Sequence, residues 1–185
     1  MKRHFSILKR ESTGLLIIDI QERISAVMKY RDMVLENTGK LIRGFNVLNV
    51  PVFITEQYRK GLGPTEAPIL EILNPPDIVD KMTFSCCATP ALMDRLQRKN
   101  IRQIVVCGIE THVCVQQTVL DLLAGDFGVY LVCDAVSSRK EMDHETAINR
   151  MQQAGAIITT AESVLFELLV QAGTAEFKQI SQIVK

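Results

Sequence analysis

The chain has 185 residues, of which 47% are hydrophobic and 23% are charged. This is the length and composition of one folded globular domain over residues 1–185, and it excludes a disordered or fibrous chain. Because 21 basic residues balance 21 acidic ones, the formal net charge is zero, and neither nucleic acid nor an anionic membrane is expected as a partner held by charge.

Six short apolar runs rich in valine and isoleucine predict strands. They lie at 15–19, 52–55, 78–81, 104–107, 129–133 and 157–160. The runs are continuous rather than alternating, which is typical of strands that are buried on both faces in a parallel sheet.

Helical patterns separate these runs and follow the last one. In chain order, their inward positions are Val34, Leu41, Phe45 and Leu48; Leu92 and Leu96; Val115, Val119 and Leu122; Ala147, Ile148 and Met151; Val164 and Leu168; and Phe177, Ile180 and Val184. Thr89 and Asp143 are the predicted N-caps, and Gly155 and Gly173 are the predicted stops. The alternation predicts an α/β fold, an open parallel sheet with helices on both faces.

Five cysteines, an odd number without a C-x-x-C pair, exclude a closed disulfide framework. The basic N-terminus lacks the apolar run of a signal peptide, and no stretch approaches the ~20 apolar residues of a membrane span. We therefore expect a cytoplasmic protein, without membrane attachment, whose thiols serve either as core residues or in chemistry.

Ligands of such folds bind beyond the carboxyl ends of the strands, where three reactive side chains are predicted to meet. Asp19 ends the first strand, Lys81 ends the third, and Cys114 lies in the first turn of the helix after the fourth. A helix start favours a thiolate, so we expect a lowered pKa for Cys114. Asp19 can take its proton, and Lys81 can keep Asp19 ionised and stabilise developing negative charge. The irregular segment 56–77 is expected to border the site.

Three motifs, LLIIDIQ around Asp19, DKMTFSC around Lys81 and CGIETHVCV around Cys114, resemble those of the isochorismatase-like cysteine hydrolases in kind, order and spacing. The similarity covers about residues 13–170. The segments TEQYRKGLGPT, FSCC and DAVSSR resemble the isochorismatase-domain-containing subgroup most.

The resemblance implies a three-layer α/β/α sandwich whose six-stranded parallel sheet has a Rossmann-like order. It also implies a catalytic triad of Asp19, Lys81 and Cys114, and a cis peptide bond between Ile109 and Glu110. The backbone amides of Glu110 and Cys114 would then form the oxyanion hole. Members of the family are commonly oligomers, so a homo-oligomer, a dimer or larger, is expected.

This sequence departs from the family's metal-binding members, which carry Asp-x-His after the second strand. The corresponding residues here are Thr55-Glu56-Gln57-Tyr58, and the three histidines, His4, His112 and His144, lack a metal-ligand spacing. No metal and no other cofactor is therefore expected.

The predicted function is hydrolysis of an amide- or carbamate-like C–N bond in a small molecule, through a thioester on Cys114. The cysteine favours this over hydrolysis of isochorismate itself. Tyr58 and Phe84 are candidate pocket residues, with a plain loop or core role equally open. Glu110 is expected to face a subunit neighbour, and Asp134 to cap a helix.

Two alternatives to the hydrolase remain. One is a thiol-redox protein that pairs Cys114 with Cys86 or Cys87. The other is a non-catalytic binding protein on the same fold.

Overall fold

Six parallel strands form one sheet at the centre of the molecule, which is a computed structural model describing residues 3–73 and 77–185. The strands are β1 (Thr13–Ile18), β2 (Val52–Gln57), β3 (Ile78–Lys81), β4 (Gln103–Ile109), β5 (Gly128–Ser137) and β6 (Ile157–Thr159). All neighbouring pairs are parallel. The six predicted strands are confirmed, since each apolar run lies within or overlaps one of them.

The strand order is β3-β2-β1-β4-β5-β6. This is the doubly wound order, in which the chain reverses its direction of travel across the sheet between β1 and β4. The predicted Rossmann-like order is confirmed. The crevice at that reversal is where such folds hold their ligands.

Nine α-helices lie within the described residues. They are α1 (Glu22–Ser25), α2 (Arg31–Val47), α3 (Arg59–Leu62), α4 (Ala67–Leu70), α5 (Pro90–Arg98), α6 (Gln116–Ala124), α7 (Glu141–Gln153), α8 (Ala161–Leu169) and α9 (Ala175–Ile183). None of the helices in the described ranges is long and apolar enough to cross a membrane.

The helices cover both faces of the sheet and confirm the three-layer sandwich. Helices α2, α8 and α9 pack with Leu15 and Ile17 of β1 in one core. Helices α5, α6 and α7 pack with Leu16 and Ile18 in the other. Alternate residues of β1 thus enter different cores, which explains why the strand is a continuous apolar run.

Some predicted helix ends are wrong. Helix α7 begins at Glu141, so Asp143 lies in its first turn and Lys140 precedes it. Thr89 precedes α5 as expected, but its side chain makes no capping hydrogen bond. Helix α8 ends at Leu169, well before Gly173, because the backbone already turns left-handed at Val170 (φ 73°).

The irregular segment 56–77 begins as strand and continues as two short helices. Strand β2 extends to Gln57, and α3 and α4 follow. Hydrogen bonds join this segment to the residues that follow β1. The Gln21 side chain donates to the Gly63 carbonyl at 2.6 Å, and Glu22 N donates to the Pro64 carbonyl at 3.0 Å. Residues 74–76 of the segment lie outside the described residues.

Gly108 lets β4 approach β1 closely at the carboxyl edge. Its φ is 127°, and a Cβ there would lie 2.1 Å from the Ile18 carbonyl oxygen. The pairing of β4 with β5 also shifts register between Val106 and Gly108. Only glycine fits this approach, which brings the turn after β4 next to the end of β1.

Candidate active site

Asp19 lies directly after β1, in a left-handed backbone conformation (φ 53°) that turns the chain away from the sheet. Its side chain is buried, with the whole residue 2% exposed. Thr55 Oγ1 donates to Asp19 Oδ1 at 2.7 Å, and Lys81 Nζ donates to Asp19 Oδ2 at 2.6 Å. Neighbouring strands β2 and β3 therefore hold one carboxylate oxygen each.

Lys81 is the last residue of β3, and its ammonium group is fully enclosed. Besides Asp19, it faces Gln57 Oε1 at 2.8 Å and the carbonyl oxygens of Thr83 and Phe84 at 3.2 Å each. An ammonium group has three N–H donors, so these acceptors occupy all of them. Lys81 therefore binds Asp19 and the backbone of residues 83–84 and has no free donor for a substrate.

Cys114 lies in a π-helical turn, Thr111–Val115, that leads into α6. It is 7% exposed, and its thiol lies close enough to the Asp19 carboxylate for the two groups to interact electrostatically. Its carbonyl accepts a hydrogen bond from Thr118 Oγ1 at 2.7 Å, one turn further along the helix. The three predicted side chains, from the ends of three different strands, thus meet at one point.

The electrostatics of the resting site differ from the prediction. Burial and the negative charge of Asp19 raise the pKa of the Cys114 thiol, whereas Lys81 lowers it to a smaller extent. The expected lowering of this pKa is therefore wrong, because lost hydration and a neighbouring carboxylate outweigh the amide dipoles of one turn. The proton rests on sulfur.

Asp19 and Lys81 form a tightly coupled pair. Burial raises the pKa of Asp19 despite the opposing attraction of Lys81. Burial alone would lower the pKa of Lys81, but the attraction of Asp19, with smaller contributions from Cys86 and Cys114, raises it. Lys81 thus stays charged, and Asp19 is a stronger base than an exposed aspartate.

The turn before Cys114 begins with a cis peptide bond between Ile109 and Glu110, as expected. The Glu110 side chain does not face outward toward a neighbour as predicted. It is buried, and Glu110 Oε2 accepts hydrogen bonds from Arg139 Nε at 3.0 Å and from Arg139 N at 3.2 Å. The prediction was wrong because residue 139, remote in the sequence, neutralises this carboxylate.

Tyr58 and Phe84 border the site through their backbones. Tyr58 N donates to the Lys81 carbonyl at 3.0 Å, and the Phe84 carbonyl accepts from Lys81 Nζ. Their side chains are 49% and 54% exposed. A pocket role for these two residues stays a prediction.

Comparison with known proteins decides the family. The Isochorismatase domain model matches residues 13–163 of the chain. The chain belongs to the isochorismatase family. The resemblance predicted from the three motifs is confirmed, and the members of this family are hydrolases.

Individual relatives of this isochorismatase-family chain agree with the assignment. It is 37% identical over 174 residues to isochorismatase domain-containing protein 1 of Salmo salar, covering 94% of this chain and 61% of that protein. A structure named MAR1 ribonuclease from Caenorhabditis elegans superposes with a TM-score of 0.90 at 36% identity, covering 96% of this chain and 91% of the other. The chain therefore spans less than two thirds of the Salmo salar relative.

A more distant structure shares the isochorismatase fold. The YcaC gene product of Escherichia coli, described as an octameric hydrolase of unknown specificity, has a TM-score of 0.86. Its identity to this chain is 21%, over 98% of this chain and 92% of the other. At this identity the likeness shows the fold alone.

The remaining cysteines of this isochorismatase-family chain are free thiols. Cys86 is buried beside the site, 3.7 Å from Thr55 Oγ1, and burial raises its pKa to about 12. Burial also raises the pKa of Cys87 to about 11 and that of Cys107 to about 12. Cys133 is only half-buried.

The histidines lie apart from the triad. His144 Nδ1 shares a hydrogen bond with Thr111 Oγ1 at 3.0 Å, and His112 Nδ1 shares one with Ser138 Oγ at 2.9 Å. Within residues 3–73 and 77–185, no group of three or more histidine, cysteine, aspartate or glutamate side chains is arranged to hold a metal ion. Asp134 Oδ1 accepts from Ala161 N, the first residue of α8, at 2.9 Å, so Asp134 does bind a helix start, although Thr160 is the N-cap residue of that helix.

Sequence reasoning missed three polar residues that support the site: Thr55, Gln57 and Thr118. The Gln57 side-chain amide accepts from Lys81 Nζ through Oε1 and donates to the Met82 carbonyl through Nε2 at 2.9 Å. Thr55 and Gln57 lie two residues apart within the last part of β2, which places them on one face at its carboxyl end. That pattern is a signal that could have identified them.

Proposed function

We propose that this chain is a cysteine hydrolase that cleaves an amide- or carbamate-like C–N bond of a small molecule through a thioester on Cys114. The observation that carries the proposal is the buried ion pair of Asp19 and Lys81, 2.6 Å apart, which lies close enough to the buried thiol of Cys114 for both charges to act on it. Cys114 is the nucleophile, Asp19 the general base, and Lys81 the group that holds Asp19 in place.

The first half-reaction follows from the charge of the triad. With a thiol, a carboxylate and an ammonium group the resting site is neutral, and transfer of the thiol proton to Asp19 keeps it neutral. Loss of that proton to solvent would instead leave a buried negative charge, which agrees with the raised pKa of Cys114. The nucleophile is therefore activated by internal proton transfer when a substrate carbonyl is present.

The bonds and protons of this half-reaction balance. The thiolate forms a C–S bond to the carbonyl carbon, and the carbonyl electron pair moves to oxygen. The amides of Glu110 and Cys114 donate to this oxyanion. When the C–N bond breaks, the leaving nitrogen takes the proton held by Asp19, which returns to its ionised form.

Hydrolysis of the thioester repeats these roles. Asp19 takes a proton from water, the hydroxide adds to the acyl carbon, and the same amides receive the oxyanion. The C–S bond then breaks, and Asp19 returns its proton to the Cys114 thiolate. The products are a carboxylic acid, or a carbonic acid monoester from a carbamate, and an amine or ammonia.

The residues after β3 favour an apolar, uncharged acyl group. Thr83 Oγ1 donates to the Ser85 carbonyl at 2.9 Å, and Ser85 Oγ accepts from Cys87 N at 3.3 Å. The polar groups of this segment are thus used internally, while Met82 and Phe84 are exposed beside the site. We infer that these side chains, with Tyr58, contact the acyl group of the substrate.

A substrate screen with matched cysteine variants tests the function. Amides, carbamates and ureas with alkyl or aryl groups are incubated with the wild type, Cys114→Ala and Cys87→Ala. We expect turnover by the wild type and Cys87→Ala, and a loss of at least about a thousandfold in Cys114→Ala. Full activity of Cys114→Ala would exclude the covalent route.

The redox alternative rests on Cys86, which lies close enough to Cys114 for their charges to interact. Its raised pKa makes it a weak nucleophile at neutral pH. Mass spectrometry after mild peroxide treatment separates the two functions. A Cys86–Cys114 disulfide formed faster than hydrolysis of any screened compound would favour redox function.

Cleavage of RNA and the oligomeric state of the chain are tested alongside the screen. An RNA oligomer is included because of the name of the Caenorhabditis elegans relative, and we expect no cleavage that depends on Cys114. We also expect a homo-oligomer, in line with the octameric Escherichia coli protein. Light scattering of the purified chain measures its mass directly, and a monomer would refute this expectation.

A further inference from the structure

The loop after β5 and the start of α7 bind three consecutive residues of the turn that carries Cys114. Arg139 binds Glu110, His144 binds Thr111, and Ser138 binds His112, each through a side-chain hydrogen bond of 2.9–3.0 Å. We call residues 138–144 the supporting segment.

Glu110 is the residue of the turn that is held most completely. Its carbonyl accepts from Val113 N at 3.0 Å and from Val115 N at 3.3 Å. Its carboxylate accepts from both the backbone and the guanidinium group of Arg139. The carbonyl carbon, the side chain and the nitrogen are bonded to one Cα, so fixing the first two fixes the position of the Glu110 nitrogen and restrains its N–H.

The charges of Glu110 and Arg139 also affect the reaction. Glu110 is 8% exposed, and its carboxylate belongs to the turn on which a thiolate and an oxyanion are to form. An unpaired carboxylate there would repel both anions, and a buried charge without a partner would pull the side chain toward water. The guanidinium group of Arg139 prevents both effects.

We propose that Arg139 is a positioning residue that acts through Glu110 to aim the Glu110 amide at the oxyanion of the reaction. This rests on the proposed function, because it assumes that the Glu110 amide is an oxyanion donor. Arg139 itself does not contact the thiol or the substrate carbonyl. It sets the geometry of a donor that does.

Two probes of Cys114 separate this role from a general structural one. p-Nitrophenyl acetate acylates the thiol through a tetrahedral oxyanion and therefore needs the amide donors. Iodoacetamide alkylates the same thiol by displacement at a saturated carbon and forms no oxyanion. Both rates are followed by mass spectrometry on Cys114, with Cys114→Ala as the blank.

We expect Arg139→Ala to slow acylation at least about tenfold while alkylation changes less than about twofold. Lys140→Ala removes a neighbouring exposed cation and is the matched control, with both rates as in the wild type. Arg139→Lys keeps the backbone donor and a cation, so it should recover most of the acylation rate. If Arg139→Ala does not fold, Glu110→Ala supplies the same comparison of the acylation rate with the alkylation rate.

A double-mutant cycle tests the route through Glu110. Glu110→Ala should slow acylation as Arg139→Ala does, and adding Arg139→Ala to it should have no further effect. An equal loss from Arg139→Ala in both backgrounds would show that Arg139 acts elsewhere and would overturn the proposal. Unchanged acylation in Arg139→Ala, or an equal slowing of acylation and alkylation, would overturn it as well.

Failure of the proposed function gives a different result. If the wild type is not acylated at Cys114 at all, the covalent mechanism falls and the role of Arg139 falls with it. If the wild type is acylated and Arg139→Ala reacts at the same rate, only the role of Arg139 is lost.

Discussion

Replacing Lys81 by methionine removes the only cation in contact with Asp19 among the described side chains. Methionine has a similar length and keeps the packing of the stem, so the change isolates the ammonium group. The carboxylate loses its 2.6 Å partner and is left buried, with the hydroxyl of Thr55 as its side-chain donor. Three further oxygens, from Gln57, Thr83 and Phe84, lose their donor as well.

The expected loss of stability in Lys81→Met follows from the burial of both Lys81 and Asp19. Removing one member of a buried, hydrogen-bonded ion pair destabilises a protein by about 3–5 kcal/mol, because the other charge stays without compensation. Lys81 and Asp19 are 5% and 2% exposed, so solvent screens little of this loss. We therefore expect Lys81→Met to lower the free energy of unfolding by about 3–5 kcal/mol.

Urea unfolding at neutral pH measures this change, and a double-mutant cycle assigns it to the pair. Asp19→Asn/Lys81→Met contains neither charge, so its loss should be smaller than the sum of the single losses by at least about 2 kcal/mol. Losses that add within about 0.5 kcal/mol would refute the reasoning.

The pH dependence provides a second signature. Without Lys81 the raised pKa of Asp19 rises further, because the opposing attraction is gone. A carboxyl group whose folded pKa exceeds its unfolded pKa gains stability as the pH falls through the folded pKa. The deficit of Lys81→Met relative to the wild type should therefore be smaller at about pH 5 than at about pH 8. A deficit that grows in acid would contradict this electrostatic account.

Two further changes test the fold around the site by urea unfolding. Gly108→Ala places a Cβ 2.1 Å from the Ile18 carbonyl oxygen, whereas a Cβ at Gly155, which also has a positive φ, meets nothing within 4 Å. We expect Gly108→Ala to lower the free energy of unfolding by at least about 2 kcal/mol more than Gly155→Ala does. Equal losses would show that the close approach of β4 to β1 is not rigid. Burial lowers the pKa of His144, so wild-type stability should fall as the pH drops below the unfolded pKa of about 6.5. His144→Gln should flatten that decline between about pH 7 and pH 5, and an unchanged slope would mean that another group titrates there.

The fold and the triad could be predicted because each depends on short-range patterns. Continuous apolar runs identify buried parallel strands, and the carboxyl ends of such strands meet at one edge of the sheet. Asp19, Lys81 and Cys114 follow three strands directly, so their meeting needs only the topology. The start of α7 was less predictable because several polar residues there can begin a helix, and the end of α8 because it falls at Val170, an apolar residue that gives no stop signal.

The partners of the site residues could not be predicted in the same way. Glu110 looked unpaired in the sequence because Arg139 lies 29 residues away and on a different strand end. The full set of acceptors around Lys81 depends on where the backbone of residues 83–84 turns and on the side-chain orientation of Gln57. Neither has a local pattern.

The sequence by itself determined the order of strands and helices along the chain, the two apolar cores and the meeting of Asp19, Lys81 and Cys114, because spacing and hydrophobicity along the chain specify these. The tertiary structure alone decided the ionisation of the site. A helix-start position predicted a low pKa for Cys114, but the enclosure of the thiol and the nearby charge of Asp19 raise it. The loss of hydration and the nearby negative charge depend on which residues the fold brings together across the sheet. Their effect on the pKa outweighs that of the local dipole of one turn.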